Sequence, residues 1–509
     1  MCAILAATLC SGCAKSRSAT DPGGVDFLIE SMPTNLDPRL GTDAQSEDLD
    51  GLLFDGLVDR DPQMNLVPDL AEKWEIPDAL TYVFHLRRGV KFHDGRPLAA
   101  ADVKFTLDSI RSDEMHSPKR GAFARVRSVE TPDDATVIIR LSEPYSSFLY
   151  SLTRLAIGVV PRGSGAELAR HPIGSGPFRF VRMTTDEDIV LERNPDYFGA
   201  RPTIDRVRFR VVPDAIVRAL ELRKGSTDIG GVNSLTPDMI LALGKQPNLM
   251  VEEEPGTSLS YVAFNFVDPI LARREVRQAL AYAVDRESLI QYLLRGKARP
   301  ADSLLPPDHW AYEHDVKQYP YDPALAERLL DEAGLRRAPD GVRFHLTLKT
   351  STEESARLLG EALADQWRNI GVALDLRSLE TATLLSDIGR GSFQLYTLRW
   401  TGYTNNDPDI FDYVYNSSHM PPDGANRGHY RNPTIDRLLD QQRAETDRSK
   451  RKAILSQIQK IVAEDEPYID LWYYDNTCVH RDRVSGIVIP PGGDYDFLSS
   501  EAFRVAAGR

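Results

Sequence analysis

The run LAEKWEIPDALTYVFHLRRGVKFHDGRPLAAADVKFTLDSI, residues 70–110, holds two different periodicities back to back. Tyr82, Phe84 and Leu86 alternate on one strand face, Gly89 marks a turn, and Val90 and Phe92 resume the alternation, which reads as a hairpin. Val103, Leu107 and Ile110 then recur at helical spacing. A strand pattern that gives way at once to a helix pattern sets the class to α/β.

The same alternation continues downstream. ATVIIRL is a strand after a TPDD turn, and IVLERNPDYFG and IDRVRFRVV are strands around an Asn-Pro turn. AIVRALELRKG is a helix stopped by Gly225, followed by a short strand. TSLSYVAFNF is β-rich, and the segment after it holds two helices, with Asp285 capping the second and Gly296 ending it. In YDPALAERLLDEAG, Asp322 is the N-cap, Pro323 opens the helix and Gly334 closes it. Leu359, Leu363, Trp367 and Ile370 form one stripe ended by Gly371, so Trp367 reads as core. FHLTLKT and VALDLRSL are the strands on either side of that helix. Two further helices precede a late strand, YIDLWYYDN. Mixed sheets flanked by helices, in more than one lobe, are the expectation; no internal repeat is visible.

At 509 residues the chain exceeds one core, and two or three domains are expected. Apolar residues at 42% and charged residues at 27% are those of a globular protein. The formal charge of −14, without a basic stripe, argues against a nucleic-acid partner. No apolar run of about 20 residues spans a membrane. Residues 1–13, MCAILAATLCSGC, read as the tail of a secretory signal, and Leu9 to Cys13 resembles a bacterial lipobox with Cys13 as the lipidated residue. The stretch lacks a positively charged region, which implies a start upstream, and Cys10 stands where Leu is usual. Residues 14–24 are a polar tether. Beyond the leader a single Cys478 remains, which excludes an internal disulfide and reads as a packed small residue.

The strong chemical signals are missing. There is no phosphate loop, GxGxxG or HExxH, no CxxC beyond the leader, and neither GSG (163–165 and 174–176) completes a nucleophile elbow. His419 and His429 lie ten apart in a loop, without structural-zinc spacing. No cofactor and no catalytic residue is assigned.

Residues 70–110 resemble the signature of the extracellular solute-binding proteins that serve ABC importers of oligopeptides, dipeptides and nickel. The likeness extends in order through residues 174–180, 191–214, 261–266, 274–290, 371–380, 391–409 and 431–439, so that it covers about 25 to 500. It implies the two-lobed periplasmic-binding-protein fold, type II, in its large form with an extra subdomain. Residues 25–58, 170–267 and 473–509 would form lobe I, 59–169 its inserted subdomain, and 268–472 lobe II. It also implies a non-enzymatic receptor, monomeric, in the periplasm or lipid-anchored on the outer face of the cytoplasmic membrane. Such a receptor hands a peptide or other small solute to ABC permease subunits.

RWTGYTNNDPD, residues 399–409, carries the resemblance into the pocket. Peptide-binding members have a Trp followed three residues later by an Asp that pairs with the ligand's α-ammonium. Here Trp400 is followed at that spacing by Tyr403, and the Asp-Pro comes one residue late, as Asp407-Pro408. Either Asp407, Asn405 or Asn406 takes over the amine contact, or the contact is gone and the solute is not an ordinary short peptide. Tyr and Asn suit neutral polar solutes, such as modified peptides or sugars. Asp407 and Asp409 also suit a plain turn or cap. The resemblance further implies cleft positions for Met32 and Asn35 in SMPTNLDP, for Ser258 or Tyr261, and for Tyr474. The nickel branch would need His in the 399–409 stretch, which has none. The alternatives are a secreted carboxylate-dependent hydrolase, which needs two carboxylates on opposed walls about 5 Å apart, and a sensor or chaperone on the same fold.

Overall fold

One mixed sheet of eleven strands threads the molecule from end to end. Its order is Val372–Leu379, Phe344–Ser351, Leu395–Trp400, Leu249–Phe264, Tyr468–Arg481, Ile229–Val232, Gly24–Ile29, Arg206–Val211, Asp188–Arg193 and Phe178–Thr184, with Ala298–Pro300 joined to Tyr468–Arg481. This is a computed structural model that describes residues 23–401, 407–422 and 424–506. Parallel pairs (Gly24–Ile29 with Arg206–Val211, Phe344–Ser351 with Val372–Leu379) coexist with antiparallel ones. The helix Glu354–Asn369 crosses between the second parallel pair as a βαβ unit. The mixed α/β class is the one expected.

Local chemistry explains many element ends. Asp322 accepts from the Leu325 amide at 2.8 Å, Pro323 opens that helix, and Gly334 follows it with φ +76°. Asp285 accepts from the Ser288 amide at 3.0 Å, and Gly225 ends Ala215–Lys224 in the left-handed region. Leu359, Leu363, Trp367 and Ile370 are all buried, and Trp367 Nε1 donates to the Leu280 carbonyl at 3.1 Å. Cys478 is buried in the sheet, where desolvation pushes its thiol pKa up.

The expected hairpin at Gly89 is corrected. Strand Thr81–Leu86 pairs with Ala71–Asp78 before it and Thr136–Leu141 far after it, in a separate four-stranded sheet closed by Val126–Asp133. Val90 and Phe92 are buried loop residues, held by an isolated bridge between Lys91 and Pro97. Their alternation copies a strand because a loop packed onto a core also points every second side chain inward.

Apolar side chains gather into four large clusters. One unites Val25 to Phe54, Val160 to Ile229 and Cys478 to Phe503; a second lies within Leu57 to Val159. Two more, from Val262 to Trp472 and from Leu259 to Tyr473, share the central part of the chain. The first two make a terminal half and the last two a central half, and the two long strands Leu249–Phe264 and Tyr468–Arg481 run through both.

Candidate functional site

The two long strands change partners within a few residues. Leu249 to Pro255 pairs with Asp475 to Arg481 in the terminal half, and Leu259 to Ala263 pairs with Tyr468 to Tyr473 in the central half. Between Pro255 and Leu259 the register shifts. Proline contributes no amide to the ladder, and a bulge concentrates bending at one point. Gly256 is required there, since a Cβ would lie 2.4 Å from the Tyr474 carbonyl oxygen. Arg299 donates to the Gly256 carbonyl at 2.9 Å, and the Thr257 amide donates to the Pro491 carbonyl at 3.1 Å.

A second set of contacts joins the halves away from these strands. Ser147 Oγ donates to Asp407 Oδ1 at 2.8 Å and accepts from Arg451 at 2.7 Å. Arg451 also stands 3.5 Å from Asp407. The Ser146 amide donates to the Arg443 carbonyl at 2.8 Å, and Ser146 Oγ to the Gln442 carbonyl at 2.9 Å. Trp310 Nε1 donates to the Tyr150 hydroxyl at 3.0 Å, which donates to the Met64 carbonyl at 3.3 Å. Arg448 donates to Asn65. Burial pushes the Asp407 carboxyl up to about 6 against the pull of Arg451.

Asp407 is therefore engaged by protein groups. Asp409 is as well: it accepts from Gln442 Nε2 at 2.8 Å and lies 3.6 Å from Arg443. The two carboxylates belong to one loop with cationic partners, not to opposed walls, which removes the carboxylate pair a hydrolase would use. Among the described residues, no group of three or more His, Cys, Asp or Glu could hold a metal ion.

Trp400 and Tyr261 come together as an aromatic wall. Their rings stack at 5.9 Å and 15°, and Tyr468 also stacks with Tyr261, at 4.4 Å and 8°. Arg427 lies 5.4 Å over the Trp400 ring, and Trp400 Nε1 is buried with no partner among the described residues. Tyr261 is 1% exposed, so of the pair Ser258 and Tyr261 the serine keeps the accessible side chain. Tyr474, half-buried, lies under Arg399 at 5.2 Å. Met32 packs on the terminal-half core, and Asn35 Oδ1 accepts from the Asp37 amide at 2.9 Å, which holds a turn. Tyr403, Asn405, Asn406 and Cys13 lie outside the described residues.

Two cavities open between the halves. One, of about 260 Å³, lies beside the register shift, lined by Glu254 to Thr257, by Met64 and Pro490 of the terminal half and by Arg299 and His309 of the central half. The second, of about 220 Å³, lies between Trp74, Tyr82 and Tyr150 of the terminal half and Trp310, Arg448 and Arg451 of the central half. The hydrogen-bonded pair Tyr150 and Trp310 stands beside both, since the neighbouring residues Met64 and His309 line the first. Sequence reading missed Ser147, Tyr150, Trp310 and Arg451; only Trp310, an aromatic in the Pro-rich loop LLPPDHWAY, offered a signal.

Comparison with known proteins gives a consistent context. Residues 65–422 match the family model for bacterial extracellular solute-binding proteins, family 5 (middle region). The chain is 29% identical to the dipeptide-binding protein of Escherichia coli (strain K12), across 92% of this chain and 93% of that one. Among solved structures, the oligopeptide-binding protein AppA from Bacillus subtilis in complex with a nonapeptide superposes with a TM-score of 0.75 at 27% identity, covering 95% of this chain and 99% of that one. NikZ from Campylobacter jejuni in complex with Ni(L-His) superposes with a TM-score of 0.79 at 26% identity, with the same coverage.

Proposed function

The chain belongs to the bacterial extracellular solute-binding proteins, family 5, a family of receptors rather than enzymes, and on that premise we propose that it captures a peptide or related small solute outside the cytoplasmic membrane and delivers it to the permease of an ABC importer. The observation that carries this reading is the pairing of a bulged two-strand connection with polar bridges between the halves, from Ser147 to Asp407 and from Trp310 to Tyr150. Two bodies joined at a bend and bridged elsewhere form a clamp. A solute that touches both faces favours the closed form by its differential affinity for it, and no covalent step is needed.

Lobe I comprises residues 25–58, 170–267 and 473–509, its inserted subdomain 59–169, and lobe II 268–472. The apolar clusters favour two adjustments. Val160 and Leu168 pack with the terminal core, which ends the insert earlier, and Leu259 and Tyr261 pack with Trp400, which starts lobe II earlier. Trp400 with Tyr261 behind it, Tyr403, Asn405, Asn406, Ser258, Tyr474, Met32 and Asn35 make up the solute site. Asp407, held by Ser147 and Arg451, serves closure, so an amine contact would fall to Asn405 or Asn406. Cys13 carries a lipid that holds the monomeric receptor at the outer face of the membrane.

Native mass spectrometry of the purified protein, followed by thermal shift against peptide and oligosaccharide libraries, tests the reading. A solute at a hundred times its dissociation constant adds about 2.7 kcal/mol of stability. No bound species and no shift in either library would refute it. Intact-mass analysis of Cys13→Ser against the parent tests the anchor.

A further inference from the structure

The second cavity between the halves has a composition of its own. Trp74, Tyr82 and Tyr150 on one side face Trp310 on the other, around about 220 Å³. This is below the roughly 300 Å³ at which sites for whole small ligands begin, so it suits one ring-bearing group of a larger solute. Aromatic walls offer large contact area and ring stacking to such a group.

Two guanidiniums lie at its edge, and they differ in their partners. Arg451 is matched by Asp407 at 3.5 Å and by Ser147. Arg448 stacks 4.8 Å over Trp310 and donates to the neutral Asn65; no carboxylate among the described residues lies within ion-pair distance of it. A cation next to an aromatic slot, with a neutral amide as its hydrogen-bond partner, presents a planar fork to an incoming carboxylate.

We propose that this cavity is a subsite for the C-terminal aromatic residue of a short peptide, with the ring against Trp310 and Trp74 and the carboxylate on Arg448. The inference rests on the peptide-capture reading above. Because both halves build the subsite, its occupation adds directly to closure.

Isothermal titration with Ala-Ala, Ala-Phe and Ala-Phe amide tests it on the full chain. Ala-Phe is expected to bind at least tenfold more tightly than Ala-Ala. Trp310→Ala also removes the bridge to Tyr150, so it should weaken both peptides while bringing Ala-Phe and Ala-Ala to within twofold of each other. Arg448→Gln should erase the preference for Ala-Phe over its amide. Trp310→Phe, which keeps a ring, is expected to retain most of the aromatic preference, so a folding defect in the alanine variant cannot mimic the result. Equal binding of Ala-Ala and Ala-Phe by the parent protein, or a preference that survives Trp310→Ala, overturns the subsite alone. Absence of binding by all three peptides overturns the subsite together with peptide capture, and thermal shift against oligosaccharides then shows whether solute capture itself survives.

Discussion

Ser147 Oγ donates to Asp407 Oδ1 at 2.8 Å, so a serine of the inserted segment holds a carboxylate seven residues beyond Trp400 on the other half. A hydrogen bond to a charged group contributes about 1.5–3 kcal/mol, and a factor of ten in an equilibrium corresponds to about 1.4 kcal/mol. Ser147→Ala is therefore expected to shift the open–closed balance toward open by roughly tenfold to a hundredfold. Small-angle scattering should show a larger radius of gyration for the variant, with an unchanged circular dichroism spectrum. Superposable scattering curves would leave the contact without a role in closure.

At the other end of the clamp, Gly256 is the position where the long strand can least tolerate a side chain. A Cβ there lies 2.4 Å from the Tyr474 carbonyl oxygen and 2.9 Å from Asn476 Oδ1. The backbone oxygen cannot move aside without disturbing the bulge. Gly256→Ala is expected to lower the melting temperature and to weaken solute-induced stabilisation more than Gly389→Ala, where a Cβ meets nothing within 4 Å. Differential scanning calorimetry with and without solute compares the two; equal behaviour would remove Gly256 from the hinge.

Asp470 gives the fold a pH signature. It lines a small cavity of the central half beside Asp302 and Glu466, and its Oδ1 is buried without a partner among the described residues. Burial pushes this carboxyl up to about 7, Asp302 adds to the rise, and Arg286 opposes it. A raised value in the folded chain means that the fold prefers the neutral acid. The destabilisation is fully present above about pH 7, and it fades as pH falls toward the ordinary carboxylate range. Asp470→Asn should accordingly stabilise the protein at pH 8, by about 1 kcal/mol or more, and make little difference at pH 4. Denaturant unfolding at the two pH values measures it; a pH-independent difference would contradict the assignment.

Trp400 and Tyr403 together test the proposed solute site. Trp400 is 7% exposed and stacked on Tyr261, and truncation of a buried Trp costs about 3–5 kcal/mol. Trp400→Ala should lose both stability and solute binding, and Tyr403→Ala should lose the solute-induced shift. If both variants retain the shift, the aromatic wall is not part of the solute site.

Elements with local signals were legible in the sequence. Asp322, Pro323 and Gly334 frame their helix as their residue types require, and the stripe from Leu359 to Ile370 is buried as its spacing dictates. The Val90 and Phe92 alternation misled, because burial of a loop imitates strand periodicity. The bridges between halves left no trace in the sequence: Ser147 and Asp407 are 260 positions apart, and neither residue type signals a partner at that range. The partners of Asp407 came from topology, which sets Ser147 and Arg451 against a candidate amine contact. Trp400 was singled out through resemblance, and its stacking on Tyr261 follows from the pairing of Leu259 with Trp400 on adjacent strands.

The central claim is a clamp that closes over its solute and releases it unaltered. Small-angle scattering of the purified protein, titrated with the species that native mass spectrometry finds bound to it, tests this most directly. The account predicts a radius of gyration that falls on saturation and returns after dialysis, with the same mass recovered in the dialysate. An unchanged radius at saturation, or recovery of a cleaved species, would contradict it.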